Sequence, residues 1–139
     1  MKSHIYVDDY TVTLELYEDD IDILLKKFTE LNINKTEVNV SNICNGDVEL
    51  IVKEIDSDQY TFLIEYNKLK NLVAFIFNKE GVEYLSSRIE LLRKNLLKHN
   101  LNIDHEHFFT KEWAGWELTS KGVDYGYEII NELKLYVYI

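Results

Sequence analysis

At 139 residues, 46% hydrophobic and 13% aromatic, the chain is sized for one domain spanning 1–139 and is too apolar for global disorder. Its 25 acidic against 15 basic side chains leave a net charge of −10, which argues against nucleic acid as ligand and disfavours anionic membranes. One cysteine, Cys44, excludes an internal disulfide and suits a reducing, cytoplasmic setting. The first residues carry no secretory pattern, and the longest apolar run, Leu72 to Phe77, is far too short to cross a bilayer.

In chain order, Tyr10, Val12, Leu14 and Leu16 alternate with polar residues, which predicts a half-buried strand. Glu18-Asp19-Asp20 follows, and Asp19-Asp20 reads as the cap of a helix. Ile21, Leu24, Leu25, Phe28 and Leu31 recur at helical spacing, so residues 20–31 are expected to form that helix. Residues 36–53 read as a hairpin, turning at Asn45-Gly46-Asp47. Tyr60, Phe62, Ile64 and Tyr66 alternate in the next strand, and Asn67–Asn71 turns the chain into Leu72–Phe77. That run is apolar at every position, as a central strand covered on both faces would be.

Asn78 is placed as an N-cap. Val82, Leu85, Ile89, Leu92 and Leu96 form one stripe of a long helix over 82–98, with Asn100 and Asn102 at its exit. Residues 104–109 read as a short strand, and Leu133 to Ile139 as a C-terminal one. No proline and no Ser/Gly-rich linker divides the chain.

Few constellations suggest chemistry. His105 and His107 are two apart, so on a strand they share a face, a geometry that metal sites use. A third ligand would have to come from His99, Asp104 or Glu112, and no spaced motif completes the set; the pair is read as structural, packing beside Phe108 and Trp113, with no metal and no cofactor assigned. Cys44 has no basic neighbour to activate it as a nucleophile. No phosphate-binding loop, nucleophile elbow or zinc-protease motif occurs, so no catalytic residue is assigned. Glu112, Trp113, Trp116, Glu117, Asp124 and Tyr125 have instead the composition of an interaction patch, aromatic anchors among acids, with Gly115 allowing a tight bend; the alternative is that both tryptophans plug the sheet.

The segment from Lys79-Glu80-Gly81-Val82 through the helix to His105-Glu106-His107-Phe108-Phe109 and Trp113-Ala114-Gly115-Trp116-Glu117-Leu118 resembles the bacterial immunity protein 32 family. The match covers about residues 72–139, and it departs from the family in having Ala114-Gly115 where two glycines are expected. The resemblance implies a non-enzymatic cytoplasmic protein that binds and neutralises a cognate toxin domain by occluding its functional surface. The acidic balance agrees with a basic toxin as partner.

The expected fold is α+β, a mostly antiparallel sheet of about six or seven strands with two amphipathic helices packed on it. The alternatives are a metal-dependent or small-ligand enzyme centred on His105 and His107, and an oligomeric intracellular adaptor.

Overall fold

A computed structural model describes residues 3–31, 37–43, 48–56, 62–109 and 127–139. Strands β1 (His4–Asp8) and β2 (Thr11–Tyr17) form an antiparallel hairpin in register from His4↔Glu15 to Asp8↔Thr11. Its two-residue loop holds Asp9 at φ 41° and Tyr10 at φ 65°. Positive φ at both central positions matches the right-handed twist of the strands, although neither residue is glycine. Without a glycine or asparagine signal, β1 carries no expectation from sequence. Tyr10, expected to face the core, is exposed in this loop. In β2 the alternation holds, with Val12, Leu14 and Leu16 fully buried.

Helix α1 (Glu18–Thr29) starts two residues earlier than its apolar stripe suggests. Glu18, Asp19 and Asp20 fill its first turn, where their charge opposes the positive pole of the helix. The cap expected of Asp19-Asp20 is not made: the N-cap position is Tyr17, with no side-chain hydrogen bond. Asp20 is buried and does something else. Its Oδ2 accepts from the Ser3 backbone N–H (3.0 Å) and from Ser3 Oγ (2.7 Å). Ser3 Oγ in turn accepts from the Tyr17 N–H at 3.0 Å, so one buried carboxylate ties the segment before β1 to the start of the helix.

Strands β3 (Glu37–Asn39) and β4 (Glu49–Glu54) pair antiparallel, as the hairpin reading of 36–53 expects, with a short 3₁₀ turn at Ser41–Ile43 between them; the Asn45-Gly46-Asp47 turn lies outside the described residues. Next come β5 (Phe62–Asn67) and β6 (Leu72–Phe77), joined by a turn in which Asn67 Oδ1 accepts from the Leu69 and Lys70 N–H groups. Helix α2 (Lys79–His99) is capped as predicted, Asn78 Oδ1 accepting from the Gly81 N–H at 2.8 Å. Asn100, at φ 53°, ends it in the left-handed conformation that asparagine tolerates. Strands β7 (Ile103–Phe109), β8 (Tyr127–Ile129) and β9 (Glu132–Tyr138) complete the described elements.

The fold is α+β, but the strands form two mixed sheets instead of one mostly antiparallel sheet. The first has order β1-β2-β9-β7 and the second β3-β4-β6-β5-β8. Each contains one parallel pair, β2 with β9 and β4 with β6. Strand periodicity carries no information on whether two distant strands run parallel, so the split was not legible in the pattern.

One main core joins both sheets. It collects Val12, Leu14, Leu16, Phe108, Leu133, Leu135 and Val137 from the first, and Leu50, Val52, Phe62, Ile64, Val73, Phe75 and Phe77 from the second. The helix stripes Ile21-Leu24-Phe28 and Leu85-Ile89-Leu92-Leu96 are in the same cluster. Phe62 and Phe77 stack with centroids 4.5 Å apart, and Phe75 meets Phe62 edge-on at 5.6 Å. Helix α2 touches β6 of one sheet and β7 and β9 of the other. Arg88 clamps it to β7 through a bidentate pair with Glu106, both contacts at 2.8 Å. Strand β6 is central, as its unbroken apolar run predicts: Ala74 and Ile76 face away from the main core and are buried in a second cluster with Ile51 and Leu63.

Two consequences can be measured. Asp20→Ala removes the acceptor of the Ser3 N–H and should destabilise the fold by about 1–3 kcal/mol in urea unfolding. Glu65, in register with Ala74 beside the second cluster, has its carboxyl pushed up by burial, with Lys53 pulling it down. A raised carboxyl pKa means the folded state prefers the protonated form, so its contribution weakens as pH rises from the ordinary carboxylate range. Glu65→Gln should therefore raise the melting temperature at pH 7, and the gain should shrink as pH falls toward 4.5.

Candidate functional site

The first sheet has two unlike faces. Period-two alternation in β2 and β9 puts Val, Leu and Leu on the core side and Thr, Glu, Lys and Tyr on the other. The registers turn this alternation into rows across the outer face. One row runs His4, Glu15, Tyr136, His105; the next Tyr6, Thr13, Lys134, His107; the next Asp8, Thr11, Glu132, Phe109. Tyr17, Tyr138 and Ile103 form a fourth. The face is open: Tyr6 is 47% exposed, Ile103 46% and Phe109 48%.

Its rings are stacked in order. Tyr17 and Tyr138 lie face to face, centroids 4.6 Å apart and planes 15° from parallel. His105 stacks on Tyr136 at 5.2 Å and meets His107 edge-on at 5.2 Å. His4 and Tyr6 stack at 5.9 Å. Hydrogen bonds hold the polar tips. The Tyr138 hydroxyl donates to Glu15 Oε2 at 2.8 Å, and Tyr6 also hydrogen-bonds Glu15, so one carboxylate gathers two phenols from either side of β2. His107 Nδ1 lies 2.5 Å from Glu132 Oε2. An ionised carboxylate only accepts, so Nδ1 carries the proton and, in the neutral ring, Nε2 is left as an acceptor.

His105 and His107 share a face, as their spacing predicts, but their surroundings differ from expectation. Phe108 points to the opposite side, into the core, and the imidazoles face solvent. Among the described residues, no three His, Cys, Asp or Glu side chains gather where a metal would be held. Of the proposed binding residues, Glu112, Trp113, Trp116, Glu117, Asp124 and Tyr125 all lie outside the described residues. The open face contributes residues that sequence reading missed: Tyr6, Tyr17, Tyr136, Tyr138, Ile103 and Phe109. The signal was present in β9, where Leu133, Leu135 and Val137 alternate with Lys134, Tyr136 and Tyr138. β-Propensity alone marks this strand, and only its alternation shows which residues turn outward.

No helix of the described residues is long and apolar enough to cross a membrane. No family model matches the chain, and no curated protein and no solved structure gives a significant match.

The electrostatics of the face can be tested in solution. Burial, and then the hydrogen bond to Glu15, push the Tyr138 phenol well above the ordinary tyrosine range. The unfolded chain loses this proton near pH 10 while the fold keeps it, so stability should fall as pH rises past about 10. In a titration of ring-labelled tyrosines followed by NMR, the Tyr138 signal should move late, and Glu15→Gln should bring its midpoint down. A Tyr138 midpoint at the free amino acid's value would contradict the geometry.

Proposed function

We propose that this chain is a protein-binding module of the immunity type, which neutralises a basic toxin domain by covering its functional surface. The observation that carries the reading is the uncovered, pre-stacked aromatic and histidine face of the first sheet. Tyrosine supplies large contact area at low entropic cost, because only two side-chain torsions need to be fixed. Here that cost is lowered further, since stacking and the Glu15 clamp already hold the rings.

The class of partner comes from the resemblance of residues 72–139 to immunity proteins. The charge comes from the chain itself. Its net −10 raises the rate of encounter with a basic surface, and Asp8, Glu15 and Glu132 outnumber Lys134 on the outer rows. Within this reading Trp113 and Trp116 serve as further anchors, with Glu112, Glu117, Asp124 and Tyr125 around them. The single cysteine fits an antidote that works in the cytoplasm. Nothing in the proposal asks the protein for catalysis or a cofactor.

The test is a binding titration against the basic protein that co-purifies with the tagged chain from its source lysate. Tyr136→Ala, His105→Ala and Trp116→Ala are compared by calorimetry, with circular dichroism confirming the fold. At least one should weaken binding by about 2 kcal/mol, roughly thirtyfold, as the loss of a buried aromatic anchor does. Unchanged affinity in all three folded variants would sink the reading. Concentration-dependent light scattering that the same variants abolish would instead make the face a contact between copies of this chain.

A further inference from the structure

A second surface lies on the opposite side of the first sheet, between the helices. Asp22 near the start of α1 pairs with Arg93 late in α2 at 2.8 Å, while Phe28 and Leu31 at the end of α1 line one groove with Val82 and Ser86 early in α2. The helices therefore pass in opposite directions, and they part at the end of α1. There they leave a groove of about 420 Å³, which Glu54 at the end of β4 closes on a third side.

The α2 wall is one helical stripe, Lys79, Val82, Glu83, Ser86 and Glu90, spaced 3, 1, 3 and 4 residues apart. The floor is apolar, built from Phe28, Leu31 and Val82. Acceptors outnumber donors at the rim. Glu54, Glu83 and Glu90 bring three carboxylates against the single ammonium of Lys79, and none of the three is ion-paired within the described residues. Two rim hydroxyls have already spent their protons: Thr29 Oγ1 donates to the Lys26 carbonyl and Ser87 Oγ to the Tyr84 carbonyl, both at 2.7–2.8 Å. Each can now only accept. The last turn of α1, the negative pole of that helix, opens onto the same space.

An apolar floor under a rim with three carboxylates to one ammonium fits a long cationic side chain. The methylene stem would lie on Phe28, Leu31 and Val82, and the charged head would meet the carboxylates. Carboxylates stand on two walls, one on β4 and two on α2. A guanidinium fork reaches two acceptors at once where an ammonium is a point charge. We infer that this groove is a docking site for an arginine side chain presented by a protein partner, with lysine as a weaker occupant. The inference rests on the groove alone and holds whichever partner covers the sheet face.

N-acetyl-arginine methylamide is the probe, titrated into the ¹⁵N-labelled protein at low salt. The lysine and norleucine analogues serve as comparators. The expected result is saturable shifts at the amides of Thr29, Leu31, Val82, Glu83, Ser86 and Glu90, strongest for arginine. The paired change Glu83→Gln with Glu90→Gln should weaken that binding roughly fivefold to tenfold. Both glutamates are exposed, so the variant keeps the core intact. Absence of saturable shifts at these amides, equal binding by the norleucine analogue, or unchanged affinity in the variant would each overturn the inference. Binding that survives Tyr136→Ala separates this site from the sheet face.

Discussion

The parallel pairing of β2 with β9 is the constraint on which the molecule depends. Seven consecutive residue pairs, from Thr11↔Glu132 to Tyr17↔Tyr138, join the first part of the chain to its last. Strand β9 also pairs along its whole length with β7 on its other edge. It is therefore the only described link between the β1–β2 hairpin and β7 within that sheet. A parallel contact across so many intervening residues forms only after a large loop has closed. The helices and the second sheet lie inside that loop, so closing it also encloses the core. The Tyr10 carbonyl accepting from the Asn131 N–H at 2.7 Å fixes where the pairing begins.

Register then decides the outer surface as much as the core. Because side chains alternate, a slip of one residue in β9 would turn Leu133, Leu135 and Val137 to solvent and bury Lys134 and Tyr136. That cost pins the register, and the pinned register in turn lines up Glu15 with Tyr136 and Tyr17 with Tyr138. The outer face thus inherits its order from the inner one. The second sheet has no such division. Leu72–Phe77 is apolar at every position, so both of its faces contribute buried clusters. One sheet spends both faces on burial, and the other keeps one free for contact.

The sequence was informative where its signal is local. The stripe Leu85-Ile89-Leu92-Leu96, the Asn78 cap, the 36–53 hairpin and the central position of Leu72–Phe77 all follow from spacing and side-chain chemistry within one element. It was silent where the deciding fact is non-local. Nothing near Asp20 marks its partner as Ser3, seventeen residues away, and a carboxylate before an apolar stripe looks the same whether it caps or is buried. Likewise, H-x-H spacing put His105 and His107 on one face, but which face followed only from their pairing with Tyr136 and Lys134. The β1 hairpin leaves no signal in the sequence because its loop is Asp9-Tyr10, a pair without the glycine that usually announces such a turn.

The two candidate surfaces lie on opposite sides of the first sheet, and their chemistry differs. The outer face offers rings already ordered by one another, so its contribution is area without much loss of freedom. The groove offers carboxylates over an apolar floor, so its contribution is a choice of charge and shape. Arg88 and Glu106 couple them mechanically. Their bidentate pair holds α2, which forms one wall of the groove, against β7, whose other side carries His105 and His107. A ligand that spans one edge of the sheet would therefore meet both surfaces on elements joined by that pair.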